Sequence, residues 1–371
     1  IRGSSTRQVF FENTPVPKEN VLGEIGKGHH IAFNVLNIGR YKLGALCIGG
    51  AIRSIDTAVK YANERVQFGQ PISSFGAIKY KLSEQVIRAF ANQSAIYRVS
   101  QMMQQMSQQL VSEGTPYSEA KLKAAEEYAI ECSILKVAGS EALDYIVDET
   151  LQIHGGYGFS EEYSPARAYR DARINRIYEG TNEINRLLIV DMLFKRALKG
   201  KIDIVGPAWE VQKELAGMPG FESPEGEYGA EEKAVKDFKK LILMTAGGAA
   251  KKQMDGELNL EEEQEIVMNI SDMIIEGFLA ESLLMRVKKI HNYDTPVDQE
   301  LYKSILQVYL TDATARMSKY GTEAISSFTE GDLKRTFLMG MKRYTKYSPV
   351  NVKEHRRKIA GALIEKNGYC Y

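Results

Sequence analysis

From Gly28 the chain runs through FNVLNIGRYKLGALCIGGAIRSIDTAVKYANERVQFG without a proline, in a pattern that predicts one long helix. Small residues, Gly39, Gly44, Ala45, Gly49, Gly50 and Ala51, cover much of its surface. Such a helix buries little apolar area by itself, but its backbone can be approached closely, so it should lie inside a bundle with neighbours on several sides. The partners are legible further on. A second long helix is expected over Ser74–Val111, ended by Gly114-Thr115-Pro116. A third places Ala125, Ala129, Cys132, Leu135, Ala138, Ala142 and Ile146 on one face in steps of three or four, and ends at a tight turn, QIHGGYGF, over Gln152–Phe159. A helix after Thr181 completes the bundle near Leu198.

The flanks differ. Gln8–Phe11 is β-prone, and Thr14-Pro15-Val16-Pro17 is held extended by its prolines. Beyond Lys201 the texture changes, and GMPGFESPEGEYG is turn-rich and acidic, a linker or boundary. Ile266, Ile270, Met273, Gly277, Ala280, Leu284 and Val287 then step by three and four again, and a further helix is expected near Leu301–Tyr320. The expected fold class is therefore all-α: a short remnant of a β-domain over residues 1–25, an antiparallel helical bundle over 26–200, and a second helical domain over 201–371. The cluster QMMQQMSQQ reads as an exposed helix with its methionines buried.

Composition narrows the function. Lys+Arg and Asp+Glu are equal at 48 each, so no net field points to nucleic acid or an acidic membrane. The three cysteines, Cys47, Cys132 and Cys370, are far apart and form no CxxC pair, which argues for a reducing compartment and against disulfides or a zinc site. No apolar run approaches the length of a membrane span, leaving at most peripheral contact. The opening IRGSSTRQVFF is neither a start methionine nor a signal peptide, and suggests a piece of something longer.

Four stretches could carry chemistry. GEIGKGHH follows no strand of the dinucleotide-binding type and lacks the lysine-hydroxyl ending of a phosphate loop, so a turn before a helix explains it better. His29 and His30 are adjacent and lack metal-ligand spacing; no metal is expected. In QIHGGYGF, Gly155 and Gly156 permit close backbone approach to a ligand, whereas a helix cap alone needs one glycine. In RVQFGQPI, Arg65 offers a cation and Phe68 a flat ring, although an ordinary helix end would read the same. Finally, RIYEGTNEINRLL sets Glu179 between an aromatic and a glycine, just ahead of a helix. It is either a chemical base or a carboxylate drawn to the positive helix end.

Taken in order, IRGSSTRQVFFENTPVPKENVLGEIGKGHH, NIGR, RVQFGQPISSFGAIKYKLSE and LQIHGGYGFSEEYSPARAYRDARINRIYEGTNEINR resemble the carboxyl-terminal half of the acyl-CoA dehydrogenase family over roughly residues 1–198. The helical extension to Tyr371 resembles the very-long-chain branch in layout. The resemblance implies flavin-dependent α,β-dehydrogenation of an acyl-CoA thioester to the trans-2-enoyl-CoA in fatty-acid β-oxidation. It implies FAD as cofactor, electron-transfer flavoprotein as acceptor, and at least a homodimer, in the bacterial cytoplasm or mitochondrial matrix. Two alternatives stay open: an assembly or scaffold protein, and a flavin oxidase that passes electrons to oxygen.

Residue by residue, the resemblance makes Glu179 the base that removes the α-proton. A carboxylate closed off from water by an acyl chain and a flavin loses solvation, which strengthens it as a base. Tyr178, Gly180, Asn37, Gly39 and Arg40 fall in the substrate-binding segments. The Gly180 amide is expected to help hold the thioester carbonyl as charge gathers on its oxygen. Some relatives place the base one residue before the NIGR-type arginine; here that position is Gly39, which cannot serve. Arg65, Gln67, Phe68, Gln152, His154, Gly155, Gly156, Thr181 and Glu183 fall at cofactor contacts, the Arg65–Phe68 segment often reaching the flavin of a neighbouring subunit. His154 stands where relatives usually have an apolar residue. Since the resemblance places the rest of the flavin site in a β-domain outside this sequence, the 371-residue chain alone is expected to be folded, colourless and inactive, with Glu179 exposed to water.

Overall fold

The computed structural model describes residues 3, 5–217, 225–290 and 292–371, without the side chain of Ala216. Among them are thirteen α-helices and a single two-stranded hairpin. The expected linker GMPGFESPEGEYG lies largely outside the described residues. No strand forms at Gln8–Phe11; those residues are exposed and join no ladder among the described residues. A β-prone run becomes a strand only where another strand accepts its hydrogen bonds, and this chain supplies none there.

Helix α1 (Gly28–Glu64) and helix α4 (Ala129–His154) form the centre. Their crossing depends on two glycines. A Cβ on Gly44 would stand 2.8 Å from the Leu135 carbonyl oxygen, and one on Gly139 would stand 3.1 Å from the Gly44 Cα. The backbones touch there, which is the close approach that the small-residue pattern predicts. Around this pair pack α2 (Gly76–Ser112), α3 (Tyr117–Glu127), the short α5 (Gly156–Phe159), α6 (Ser164–Arg173) and α7 (Asn182–Leu198). The face expected to be one continuous helix is divided at Tyr128 between α3 and α4, yet all seven of its predicted apolar or small residues are buried.

Between α1 and α2 the chain turns as a tight hairpin, Val66–Gln67 against Gln70–Pro71, rather than as a plain helix end. Phe68 (φ 54°) and Gly69 (φ 80°) make the turn, both left-handed as a two-residue hairpin of this hand requires.

The remaining helices are α8 (Val205–Ala216), α9 (Gly229–Met254), α10 (Gln264–Ile290), α11 (Gln299–Phe328), α12 (Gly331–Tyr344) and α13 (Val352–Lys366). Every predicted apolar position of α10 from Ile266 to Val287 is buried. Helix α10 packs on α2 and α7, and α13 on α2. Phe90 of α2 meets Tyr302 at 5.3 Å, and one hydrophobic cluster runs through both halves of the chain. Polar contacts reinforce the junction. Arg356 on α13 donates to Glu84 on α2 (2.7 Å) and to Asp312 on α11 (2.7 Å), while Arg88 pairs with the same Glu84. Among the described residues no helix is long and apolar enough to cross a membrane.

Candidate active site

The turn between α6 and α7 carries Glu179, and its backbone is unusual. Glu179 has φ 60° and Gly180 φ 80°, so two successive residues are left-handed. Glycine accepts that at no steric cost, but a glutamate there costs about 1–2 kcal/mol and persists only if its surroundings impose it. Three buried side chains do so. Arg40 Nε donates to the Glu179 carbonyl (3.2 Å), and Lys136 Nζ donates to the Gly180 carbonyl (2.7 Å). Asn185 Nδ2 lies within 2.9 Å of the Gly180 carbonyl and 3.0 Å of that of Thr181. Arg40 is steadied in turn by Asn37 Oδ1 at 3.1 Å.

The side chain of Glu179 is half-buried rather than exposed, which corrects the expectation for this chain taken alone. Its carboxylate rests on Gly39. A Cβ at that position would lie 2.6 Å from Oε2, 2.9 Å from Cδ and 3.1 Å from Oε1. Oε2 is closed off from solvent and accepts no hydrogen bond among the described residues. A buried carboxylate oxygen left without a donor calls for an explanation, and a catalytic role is one; Glu131 Oε2 shares this state among the described residues but does not lie on the glycine notch. The bare glycine is what makes room for it.

Asn37, Gly39, Arg40, Glu179, Gly180 and Thr181 thus come together, with Tyr178 beside them, half in solvent and hydrogen-bonded to Asn175 at 2.6 Å. Thr181 caps α7 through its hydroxyl, which accepts from the Ile184 amide (3.3 Å). Glu183, on the exposed first turn, is held below the usual carboxylate range by its own backbone amide and by Thr181. The amides of Gly180 and Thr181 donate to no acceptor among the described residues. From Asn37 a groove of about 510 Å³ leads away between α1, α3 and α7, with Phe33, Lys123, Lys195, Lys199 and Lys201 on its walls together with Glu126 and Glu127.

The other predicted residues gather elsewhere, at the far end of α1. Arg65 lies over the Tyr157 ring at 5.3 Å; Gln67 and Phe68 project from the hairpin, Phe68 90% exposed. Gln152 is exposed on the last turn of α4, and Gly155 (φ 58°) and Gly156 are open, with nothing within 4 Å of a Cβ placed on either. His154, also expected at a cofactor contact, is a buried residue of the last turn of α4. Its ring is buried and stacked on Tyr61 at 4.0 Å, with Nδ1 on the Thr150 carbonyl at 2.7 Å, and burial lowers its basicity. It supports the glycine turn from behind. The 25 residues from Arg40 to Arg65 span about 37 Å of helix at 1.5 Å each.

Lys136, Asn182 and Asn185 are not among the residues that sequence reasoning selects. Lys136 left one signal, a cation inside the small and apolar run ILKVAG, at a turn that should be buried. Among the described residues no cluster of potential metal ligands occurs.

This all-helical architecture, with a glutamate seated on a helix glycine, agrees with comparison to known proteins. Residues 26–194 and residues 237–343 each match a family profile described as acyl-CoA dehydrogenase, C-terminal domain. The chain belongs to the acyl-CoA dehydrogenase family. It is 40% identical over 372 residues to a probable acyl-CoA dehydrogenase of Bacillus subtilis (strain 168), covering 100% of this chain and 62% of that protein. A crystal structure of an acyl-CoA dehydrogenase complexed with FAD from Bacillus anthracis superposes with a TM-score of 0.92 at 40% identity, over 97% of this chain and 61% of that one. The very long-chain specific acyl-CoA dehydrogenase of Bos taurus mitochondria is 30% identical over 394 residues, 99% of this chain and 53% of that protein. The chain therefore spans between about half and three-fifths of the length of these relatives.

Proposed function

We propose that this chain forms the carboxyl-terminal part of a flavin-dependent enzyme that dehydrogenates an acyl-CoA thioester to the trans-2-enoyl-CoA, with Glu179 as its base. One observation carries the reading: a carboxylate oxygen closed off from solvent, without a hydrogen-bond donor, held over a glycine by a left-handed backbone that three buried side chains impose. A carboxylate meant only to favour the α7 dipole would sit at the amides of the helix start, as Glu183 does.

The residues fit FAD and acyl-CoA. The Gly180 and Thr181 amides are free to donate, so one can meet a thioester carbonyl and the other a cofactor hydroxyl or phosphate. Arg40 and Asn37 fix the turn that aims them. Lys199 and Lys201, which make no ion pair among the described residues, stand with Lys123 and Lys195 along the groove from Asn37, where the phosphates of CoA would lie. When bound, the flavin supplies the acceptor for the hydride that leaves the β-carbon. Glu179 takes the α-proton: the α C–H pair becomes the new C=C bond as the β-hydrogen departs with its own pair. Gly180 suits the turn because its φ of 80° strains any other residue and a Cβ there would crowd Asn185 Nδ2 at 3.2 Å.

The distance along α1 supports reading the cofactor contacts as two separate sites. Arg65 stands about 37 Å along α1 from Arg40, and Gln67, Phe68, Gln152, Gly155 and Gly156 gather at that same end, so we read them as too far from Glu179 to meet a flavin bound beside it in the same chain. They would therefore serve the flavin of a second subunit, which implies at least a homodimer. Residues 26–200 and 201–371 are read as two helical domains, preceded over 1–25 by the end of a β-domain, with electron-transfer flavoprotein as the acceptor and β-oxidation as the pathway. The test is anaerobic titration of the flavin-loaded full-length protein, of which this chain is proposed to be the carboxyl-terminal part, with saturated acyl-CoAs of graded length. Bleaching of the visible flavin absorbance, with the 2-enoyl-CoA as product, is expected; a flavin that no acyl-CoA reduces would refute the reading. Rapid recovery of colour in air would favour an oxidase.

A further inference from the structure

Among the described residues Lys136 is the only lysine that is buried, and it makes no ion pair. Its ammonium donates to the Gly180 carbonyl (2.7 Å) and to Asn182 Oδ1 (2.6 Å). Asn182 Nδ2 is engaged in turn by Ser140 Oγ and Glu141 Oε1, each at 3.0 Å. Glu141 continues through a two-bond pairing with Arg186 to Asp272 on α10. A buried ammonium with no carboxylate in contact is a poor means of stabilising a fold, because desolvation costs more than neutral acceptors and the more distant Glu141 and Glu183 return. An apolar side chain of the same length would fill the space with no such cost. What the ammonium adds is a fixed link from α4, the central helix, to the residue that follows Glu179.

We propose that Lys136 is a positioning residue for the base: by gripping the Gly180 carbonyl it locks the left-handed Glu179–Gly180 pair and keeps the carboxylate seated over Gly39. The proposal rests on the assignment of Glu179 as base. Arg40 fixes the peptide before Gly180 and Lys136 the peptide after it, so the two together hold both planes that flank the hinge. Without the ammonium the second plane is held only by Asn185 Nδ2, whose amide is shared with the Thr181 carbonyl, so Glu179 relaxes towards the right-handed conformations that suit an L-residue better and its carboxylate leaves the glycine notch.

Lys136→Met is the informative variant. It leaves no acceptor orphaned, since the Gly180 carbonyl keeps Asn185 Nδ2 at 2.9 Å and Asn182 Oδ1 keeps Ser140 Oγ at 3.3 Å. The rate constant for flavin reduction by a saturated acyl-CoA, measured by anaerobic stopped flow on the flavin-loaded protein, is expected to fall by about 10²-fold. Affinity for the product enoyl-CoA should stay within about three-fold, because the binding groove is untouched. The deuterium effect from α-labelled substrate should rise relative to that from β-labelled substrate. A merely structural loss would lower the amplitude per protein and move neither the rate constant per bound flavin nor the isotope ratio. A wild-type rate in folded, flavin-loaded Lys136→Met overturns the proposal. If that variant does not fold, Asn182→Ala, which removes the second anchor of the ammonium, should slow reduction by at least about five-fold, and an unchanged rate overturns it equally. Failure of the unsubstituted protein to be bleached would instead refute the assignment of Glu179, and with it the proposal.

Discussion

Adding one methyl group at Gly39 separates catalysis from stability. In Gly39→Ala the new Cβ would sit 2.6 Å from Glu179 Oε2 and 2.9 Å from Cδ, closer than carbon tolerates. The obstacle is the end of a flexible side chain, so the helix stays and the carboxylate withdraws by most of an ångström. A displacement of about 1 Å at a reacting group costs about 10²-fold in rate, or about 2.7 kcal/mol of barrier. Folding moves the other way, because alanine is better than glycine inside a helix by about 0.5–1 kcal/mol. Gly44→Ala, five residues along the same helix, is the control. There the Cβ would meet the Leu135 carbonyl oxygen at 2.8 Å, a backbone atom that cannot step aside, and forcing α1 from α4 should cost about 1–3 kcal/mol. Stopped-flow flavin reduction and thermal unfolding, run on both variants, give the answer. Gly39→Ala should be slow and at least as stable as the parent, Gly44→Ala less stable. Gly39→Ala with a reduction rate within about three-fold of the parent would refute the claim that Glu179 acts from the notch.

Glu179→Gln should keep flavin and acyl-CoA binding and lose at least about 10²–10⁴-fold in reduction rate; near-normal reduction would remove Glu179 from the mechanism. Glu84→Gln leaves Arg356 and Arg88 without their shared carboxylate, which burial pushes up but the two guanidinium groups hold below its ordinary range. A loss of about 3 kcal/mol is expected in denaturant unfolding, and a loss below about 0.5 kcal/mol would show that α13 does not depend on this bridge. Burial lowers Lys136 to about 8 against the opposing pull of Cys47, Glu183 and Glu141, while the unfolded chain titrates near 10.5. Between these values the unfolded state holds the extra proton, so stability relative to Lys136→Met should rise with pH, by up to about 3 kcal/mol. Parallel urea midpoints for the two proteins at pH 7 and pH 10 would contradict this. Phe68→Ala should weaken flavin retention in the assembled protein without affecting folding of the chain, as followed by flavin release on dilution and by circular dichroism.

Periodicity revealed the helices because burial of one face is a property of the chain's own spacing. The seven buried positions from Ala125 to Ile146, and those of α10, were legible for that reason. What sequence reasoning missed depends on pairing across space. Gln8–Phe11 has the composition of a strand, but no strand pairs with it among the described residues, and composition alone cannot report that. The hairpin at Val66–Pro71 was hidden because Phe68 occupies a left-handed position usually given to glycine or asparagine. Glu179 was found through its motif, and Gly39 as part of a substrate-binding segment and a place where no base could stand. That the glycine makes room for the glutamate, 140 residues later in the sequence, is visible only when both atoms are placed. Lys136 and Asn185 act on backbone carbonyls; Lys136 left only the trace of a cation in an apolar run, and Asn185 left no pattern in a single sequence.

Helix α1 also sets a limit on how this chain can vary. Its first third carries Asn37, Gly39 and Arg40, its middle carries the Gly44 crossing with α4, and its last residue leads into the Phe68 hairpin. All three lie on one uninterrupted helix, so inserting or deleting one residue between Arg40 and Arg65 turns everything beyond it by about 100° and shifts it by about 1.5 Å. The hairpin would then swing away from Tyr157 and the glycine turn, while the base and its notch stayed intact. Even a change of three or four residues, which nearly restores the angle, would lengthen or shorten the rod by about 5 Å, roughly a full turn. If the base and the cofactor contacts are as proposed, α1 works as a ruler with both ends in use, and its length is as much a functional parameter as the identity of Glu179.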